Sequence, residues 1–179
     1  IDVSAGSGYV ANLWHKAGAE VRAFDMYPDM CQSQNIQCAP IDLNYKLPIE
    51  SSVADYVLLM ETIEHIPNQT FLLQELARIL KPGGLLIITK PNNSSLSARM
   101  ANVWVEAERS DMFLSSEAEI IGYDDTHIYN GGVYLCNLQR LRTLAGLAGL
   151  KCEKIYPNKL SVSSLFWYLL LGAFLHLRS

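Results

Sequence analysis

The sequence predicts an α/β fold, a doubly wound and mainly parallel sheet flanked by helices. Two runs of strand length, residues 55–60 and 85–89, are almost entirely apolar, as expected of strands covered on both faces. Between them, residues 70–80 place leucine and isoleucine at the spacing of one helix face. Because strand and helix patterns alternate, consecutive strands are expected to run parallel, with the helices as connections.

The first half of the chain supplies the predicted strands. The predicted strands are residues 1–3, 20–24, 38–43, 55–60 and 85–89, and the predicted helices are residues 10–17 and 70–80. Gly18 is expected to end the first helix, because glycine accepts the left-handed conformation common just past a helix. The sequence Lys-Pro-Gly-Gly at 81–84 is expected to end the second helix and turn the chain.

The second half of the chain is less regular. Its predicted elements are helices near 96–105 and 115–121, a helix over 138–147 closed by Gly149, and a candidate strand at 152–156. We divide the chain into one domain, residues 1–160, and an apolar C-terminal helix, residues 161–179. The chain enters a glycine-rich turn almost at once, so we expect truncation at the N-terminus. A closing antiparallel strand is not recognisable after 156, which leaves truncation of the C-terminus open.

Composition and charge exclude several classes of protein. A chain of 179 residues, 50% hydrophobic and 18% charged, fits one globular domain. Its formal charge of −4 argues against a nucleic-acid partner, which requires a basic face. The four cysteines form no Cys-x-x-Cys pair and have no histidines at metal-ligand spacing, so no metal site is expected. Reduced thiols and the lack of a recognisable signal peptide favour a cytoplasmic location.

A glycine-rich bend between the first strand and the first helix indicates a nucleoside site. Gly6 and Gly8 let the backbone approach a ligand, and the following helix offers unpaired N–H groups. Asp25 follows the next strand, where a carboxylate can accept hydrogen bonds from ribose hydroxyls. These features leave a dinucleotide and S-adenosylmethionine as alternatives, because residues 6–11 also fit the Gly-x-Gly-x-x-Ala pattern of NAD(P)-dependent oxidoreductases.

An ordered set of motifs resembles the class I S-adenosylmethionine-dependent methyltransferases, whose core is a Rossmann-like fold. The matching segments are DVSAGSG at 2–8, FDM at 24–26, IDL at 41–43, LP at 47–48 followed by SVADYV at 52–57, METIEHI at 60–66, and LARILKPGGLLII at 76–88. The last segment is the most distinctive. The resemblance is continuous over residues 1–90 and weaker over 127–156, and it implies S-adenosyl-L-methionine as the cofactor.

The resemblance assigns four residues to the nucleoside part of the cofactor. Asp25 would bind the ribose hydroxyls, with Met26 beside it. Asp42 would accept a hydrogen bond from the adenine amino group, and Leu43 would pack by the ring.

Three further residues are assigned to the methionine part. Gly6 and Gly8 would line it, and Asp2 would lie near its amino group. The backbone of Met60 would flank the cofactor. Ser4 departs from the family pattern, because it stands where the first glycine of the motif is usual. This departure bears on the geometry of the turn and on cofactor affinity.

The methyl acceptor is predicted less closely. His65 and His127 are the candidate catalytic bases, with Glu64 and Tyr129 as weaker candidates. Residues 91–126 are the expected lid on the acceptor side. The segment at 60–65 resembles quinone-biosynthesis O-methyltransferases, which favours oxygen as the methylated atom and a small or lipid-linked acceptor.

The chain ends in an uncharged apolar run over 162–175 (VSSLFWYLLLGAFL). It falls short of the ~20 residues that span a bilayer. Residues 162–177 are therefore interpreted as a core or lid helix, a contact with a membrane surface, or a dimer interface. A membrane contact would make the protein peripheral to the inner face of a membrane. Besides methyl transfer, two functions stay open: an NAD(P)-dependent oxidoreductase and a non-catalytic binding module with the same fold.

Overall fold

The computed structural model describes residues 1–92, 95–105, 122–123, 126–127, 134 and 136–156. For residues 97, 101, 102, 104, 105, 122, 123, 126 and 127 it describes the backbone alone. The chain divides into two compact units. The first contains residues 1–91 and 143–151, and the remaining described residues belong to the second.

The first unit is built on a parallel sheet. Strand β1 (Ala23–Asp25) pairs with β2 (Cys38–Pro40), and β3 (Ala54–Met60) pairs with β4 (Leu80–Thr89), both in parallel. The N-terminal segment, residues 1–5, joins these two pairs, because Asp2 bridges in parallel to a residue on each side. The order across the sheet is therefore β2, β1, the N-terminal segment, β3 and β4. This confirms the predicted doubly wound, mainly parallel α/β class.

The first unit has two helices as strand connections. Helix α1 (Tyr9–Lys16) links the N-terminal segment to β1, and α2 (Gln69–Ile79) links β3 to β4. The two crossovers run in opposite directions across the sheet, so the right-handed crossover rule puts the helices on opposite faces. The Trp14 ring of α1 lies 5.1 Å from the Tyr56 ring, which fixes the face that α1 covers. Val57 and Leu59 alternate to the other face, and both are fully buried.

Local chemistry accounts for the helix ends. The Asn68 side chain accepts a hydrogen bond from the Phe71 N–H at 3.1 Å and caps α2, which begins at Gln69, one residue before its predicted start. Gly18 and Gly149 have φ angles of 92° and 79°, as expected of glycines just past a helix. Both predicted helix stops are therefore confirmed.

Three predicted boundaries were wrong. Strand β1 begins only at Ala23, and β2 ends at Pro40, because the Asp42 side chain turns the chain by accepting from the Asn44 N–H. Residues 81–84 lie within β4, where they bulge out between the pairs Ala54–Leu80 and Tyr56–Leu85.

The candidate strand at 152–156 was also wrong. The structure gives residues 151–156 no regular secondary structure, and their side chains are exposed. A strand requires a partner to complete its hydrogen bonds, and these residues pair with no strand of the described chain.

The second unit is described in parts. It contains α3 (Leu96–Val105) and a short antiparallel pair formed by β5 (Gly122–Tyr123) and β6 (Thr126–His127). Helix α4 (Leu138–Leu147) crosses the division between the units. The predicted helix near 115–121 and the apolar run at 162–177 lie outside the described residues. No helix in the described ranges is both long and apolar enough to span a membrane.

Candidate cofactor-binding site

The candidate site lies at the carboxyl edge of the sheet. In a parallel sheet all strands end at the same edge, and ligands bind where the strand order reverses. Here the chain runs from the N-terminal segment to β1 and β2, and then returns to the opposite side with β3. The reversal therefore falls between the N-terminal segment and β3, directly beside the glycine bend.

The Asp25 carboxylate faces the glycine bend. One of its oxygens accepts from the Gly6 N–H at 2.8 Å, and the other accepts from the Tyr27 N–H at 2.9 Å. A carboxylate oxygen has two lone pairs, so each can accept one more hydrogen bond. The two backbone bonds hold the carboxylate in place and leave it able to bind a pair of hydroxyl groups.

The two glycines of the bend have different surroundings. Both adopt left-handed conformations, with φ of 51° at Gly6 and 77° at Gly8. A Cβ on Gly6 would meet nothing within 4 Å, whereas a Cβ on Gly8 would lie 2.6 Å from the Cys31 Sγ. Gly6 therefore borders open space that a ligand can enter. The missing side chain of Gly8 instead makes room for the loop after β1, which contains Cys31. The sequence analysis had assigned both glycines to the ligand.

Asp2 presents an unsatisfied carboxylate oxygen at the base of the bend. Its side chain is buried, with 1% of the residue exposed. Oδ1 accepts from the Ser4 N–H at 3.2 Å, but Oδ2 is shielded from solvent and has no hydrogen-bond partner. Burial raises the pKa of this carboxyl, and the nearby Asp25 acts in the same direction. A cationic ligand group would relieve both costs.

Ser4 bridges the N-terminal segment and the end of β3. The Met60 N–H donates to the Ser4 Oγ at 2.9 Å. This bond crosses the point where the strand order reverses. The sequence did not predict it, because it marked Ser4 only as a departure from glycine.

The residues assigned to adenine lie close to Asp25 along the same edge. The Ile41 N–H donates to the backbone oxygen of Asp25 at 2.9 Å, which brings the end of β2 beside β1. Asp42 is half-buried, and one of its oxygens already accepts from Asn44. Leu43 is buried, whereas Met26 is half exposed at the end of β1. The structure thus brings Asp2, Gly6, Asp25 and Asp42 to one edge.

An ion pair on α2 fixes the loop that follows Asp42. Glu75 accepts from the Leu47 N–H at 2.9 Å and from Arg78 at 2.8 Å. Arg78 donates in turn to the carbonyl oxygens of Leu47 and Ile49, at 3.2 and 2.8 Å. These bonds hold the Glu pKa low and the Arg pKa high. The sequence analysis missed this clamp, although opposite charges three residues apart on an apolar helix were a signal for it.

The acceptor-side candidates follow the end of β3. His65 belongs to a short 3-10 turn, Ile63–His65. Its Nδ1 is shielded from solvent and has no hydrogen-bond partner. The same holds for one oxygen of Glu64, whose pKa is raised by burial. No hydrogen bond joins His65 to the glycine bend in the described chain. The side chain of His127 lies outside what the structure describes, as does Tyr129.

Comparison with known proteins places this geometry in a family. A possible histamine N-methyltransferase from Thermotoga maritima has the same fold, with a TM-score of 0.55 at 18% identity over 83% of this chain and 61% of that one. Residues 1–88 match the family model described as a methyltransferase domain. Residues 1–88 form a class I methyltransferase domain. S-adenosylmethionine is the cofactor of such domains, and the Thermotoga protein depends on it.

Relatives of this methyltransferase domain act on different molecules. A ubiquinone biosynthesis O-methyltransferase from Xanthomonas oryzae pv. oryzae is 28% identical over 115 residues, which cover 59% of this chain and 48% of the relative. The chain thus spans about half the length of the curated relatives that it matches. Phosphoethanolamine N-methyltransferase 2 from Haemonchus contortus, solved with S-adenosyl-L-methionine, has a TM-score of 0.54 at 21% identity, over 83% of this chain and 32% of that one.

Proposed function

We propose that this protein binds S-adenosylmethionine at the glycine bend and transfers its methyl group to a hydroxyl oxygen of a small or lipid-linked molecule. The observation that carries the proposal is the 2.8 Å bond between the Gly6 N–H and the Asp25 carboxylate. It places a pre-oriented carboxylate beside open space, as a ribose diol requires. Oxygen is favoured because the O-methyltransferase relatives match 59% of this chain.

The residues at the bend fit both ends of this cofactor. Asp25 has lone pairs available for the ribose hydroxyls, and Asp42 lies next along the edge for the adenine amino group. Asp2 offers a buried carboxylate oxygen without a partner to the ammonium group. Gly6 leaves space for the chain between them. Gly8 and Leu43 would support the residues that line the site, while Met26 and the Met60 backbone would flank the cofactor.

The bound cofactor supplies a methyl group already activated by a positively charged sulfur. The protein therefore has to orient the acceptor oxygen, exclude water and take up the proton that the hydroxyl loses. His65 is our candidate for the base that accepts this proton, because its Nδ1 is buried without a hydrogen-bond partner. Such a nitrogen costs about 1–3 kcal/mol of stability. An acceptor hydroxyl would offset that cost. His127 is the second candidate base, and residues 91–126 are the proposed lid.

Binding is tested by calorimetry with S-adenosylhomocysteine and NAD⁺. We expect the homocysteine compound to bind and NAD⁺ not to bind. Asp25→Ala should weaken binding at least about tenfold, because it removes charge-assisted hydrogen bonds. Asp55→Asn is the matched control, since Asp55 lies at the opposite end of β3 and pairs with Lys81 on the surface. Tight binding of NAD⁺ alone would identify an oxidoreductase instead.

Transfer is tested with a radiolabelled methyl donor and a panel of phenolic quinone precursors, with and without a lipid chain. We expect methylation at oxygen. Of the variants His65→Ala and His127→Ala, the one that lacks the base should transfer methyl groups more slowly while its affinity for the cofactor is unchanged. Cofactor binding without transfer to any acceptor would favour the non-catalytic module. Cosedimentation with anionic vesicles, compared between the full chain and a chain ending at 160, tests the membrane contact proposed for 162–177.

A further inference from the structure

We propose that Ser4 is a positioning residue that sets the selectivity of the site for the amino-acid end of the cofactor. This inference rests on the proposed function, because it names a further residue of the same site. The hydroxyl would hold the end of β3 against the glycine bend and offer its proton to the carboxylate of the methionine part.

The hydrogen-bond ladder between the two strands shows what the hydroxyl does. Leu58 N–H donates to the Ile1 oxygen at 2.8 Å, and Val3 N–H donates to the Leu58 oxygen at 3.1 Å. In a regular parallel ladder, Met60 N–H would donate next to the Val3 oxygen. It donates instead to the Ser4 Oγ at 2.9 Å. The side chain thus replaces one ladder bond at the point where the strands separate.

The strands separate because the N-terminal segment changes partner. The Ala5 N–H donates to the Phe24 oxygen of β1 at 3.0 Å, so the backbone has turned away from β3 by this residue. A glycine at position 4 would leave the Met60 N–H to be satisfied by water or by a ligand. Serine satisfies it within the protein and narrows the crevice by one hydroxymethyl group.

The Ser4 hydroxyl can still donate one hydrogen bond to a ligand. As an acceptor it uses one lone pair for the Met60 N–H, and its own proton is bonded to no acceptor in the described part of the chain. The neighbouring Asp2 oxygen attracts the ammonium group of an amino acid. An α-amino acid carries its carboxylate on the carbon that bears the ammonium, so the two groups bind as neighbours. A hydroxyl donor beside an acidic acceptor matches that pair of groups.

The test compares two ligands that differ only in the amino-acid part. S-adenosylhomocysteine carries it, and 5′-methylthioadenosine has the same thioether nucleoside without it. In Ser4→Ala we expect the first to bind about tenfold more weakly, as for loss of one hydrogen bond to a charged group. The second should change less than about twofold. Ser4→Thr keeps the hydroxyl and should bind S-adenosylhomocysteine nearly as the wild type does.

Two further variants keep the result interpretable. Ser4→Gly also removes the hydroxyl and adds no volume, so it repeats the test if the alanine variant folds poorly. Ser51→Ala is the matched control, because the Ser51 hydroxyl also accepts one hydrogen bond, from Arg78, but lies before the start of β3. It should leave the affinity for both ligands unchanged.

The outcomes separate this inference from the proposed function. If the wild type binds both ligands and Ser4→Ala binds both equally well, Ser4 has no role in selectivity and only this inference fails. Equal weakening of both ligands would also overturn it, because the hydroxyl would then only stabilise the bend. If the wild type binds neither ligand, the proposed function fails and this inference fails with it.

Discussion

Replacement by alanine should have different main effects at the two glycines of the bend: weaker binding at Gly6 and a less stable fold at Gly8. Both glycines have positive φ, so an alanine at either costs about 1–2 kcal/mol of stability through backbone strain. At Gly6 the added methyl group meets nothing within 4 Å, so we expect no further cost to stability. It would, however, project into the space proposed for the cofactor and weaken S-adenosylhomocysteine binding at least about tenfold.

Gly8→Ala should instead destabilise the fold. Its Cβ would lie 2.6 Å from the Cys31 Sγ and 3.1 Å from the Ser33 Cβ, and overpacking of this kind costs about 1–3 kcal/mol. Added to the strain, the total loss is about 2–5 kcal/mol, measured as the free energy of unfolding in urea. Truncating the sulfur in the double variant Gly8→Ala/Cys31→Ala should recover most of the overpacking cost.

The double-mutant cycle decides between this explanation and strain alone. If the sulfur contact is the cause, Gly8→Ala and Cys31→Ala are coupled by about 1–3 kcal/mol. Additive losses, or a Gly8→Ala variant as stable as Gly6→Ala, would refute the claim that the two glycines serve different purposes.

Three other perturbations test the electrostatics of the first unit. Burial raises the Asp2 pKa and a bound ammonium group would lower it, so binding of S-adenosylhomocysteine at mildly acidic pH should release protons from the protein. Calorimetry in buffers of different ionisation enthalpy measures this release. Release that persists in Asp2→Asn would contradict the role of Asp2 in binding the ammonium group. In the free protein the raised pKa means that protonated Asp2 favours folding, so Asp2→Asn should stabilise the chain at pH 7 and lose that advantage as the pH falls below the raised pKa. Glu75→Gln should cost about 1–3 kcal/mol at pH 7 by weakening the bonds to Arg78 and Leu47. Because the Glu75 pKa is lowered in the folded protein, this difference from the wild type should shrink as the pH falls below the ordinary glutamate pKa and vanish once the pH is below the lowered one; a difference independent of pH would exclude the ion pair as its cause.

The strands β3 and β4 of the first unit could be predicted because each contains a run of apolar residues of strand length. Residues 57–59 are buried as the apolar run predicts, whereas residues 86–89 are only partly buried, and the two runs pair in parallel as expected. The position of Asp25 was equally predictable, since a carboxylate directly after a parallel strand must lie at the carboxyl edge. Its hydrogen bond to Gly6 then requires only that the N-terminal segment and β1 be neighbours in the sheet.

Contacts between distant segments could not be predicted in this way. Whether Gly8 faces a ligand or Cys31 depends on how a weakly patterned loop packs, and no periodicity describes that loop. The short extent of β2 depends on the competing turn at Asp42, which a strand pattern alone does not weigh. The bulge at 81–84 has the composition of a turn and the position of a strand, so a local rule assigns it to the turn.

The two sides of the proposed site differ in how far they are prepared before a ligand arrives. On the cofactor side, Asp25 is fixed by two backbone N–H groups, so binding there costs little further ordering. On the proposed acceptor side, His65 and Glu64 each keep a buried polar atom without a partner in the described chain, and a ligand that bonds to these atoms would remove that cost. An acceptor with a hydroxyl group is therefore favoured over an apolar analogue of the same shape, because the analogue would leave these atoms unsatisfied. We therefore propose that selectivity for the nucleoside comes from a rigid carboxylate, and selectivity for the acceptor from hydrogen bonds that His65 and Glu64 make with it.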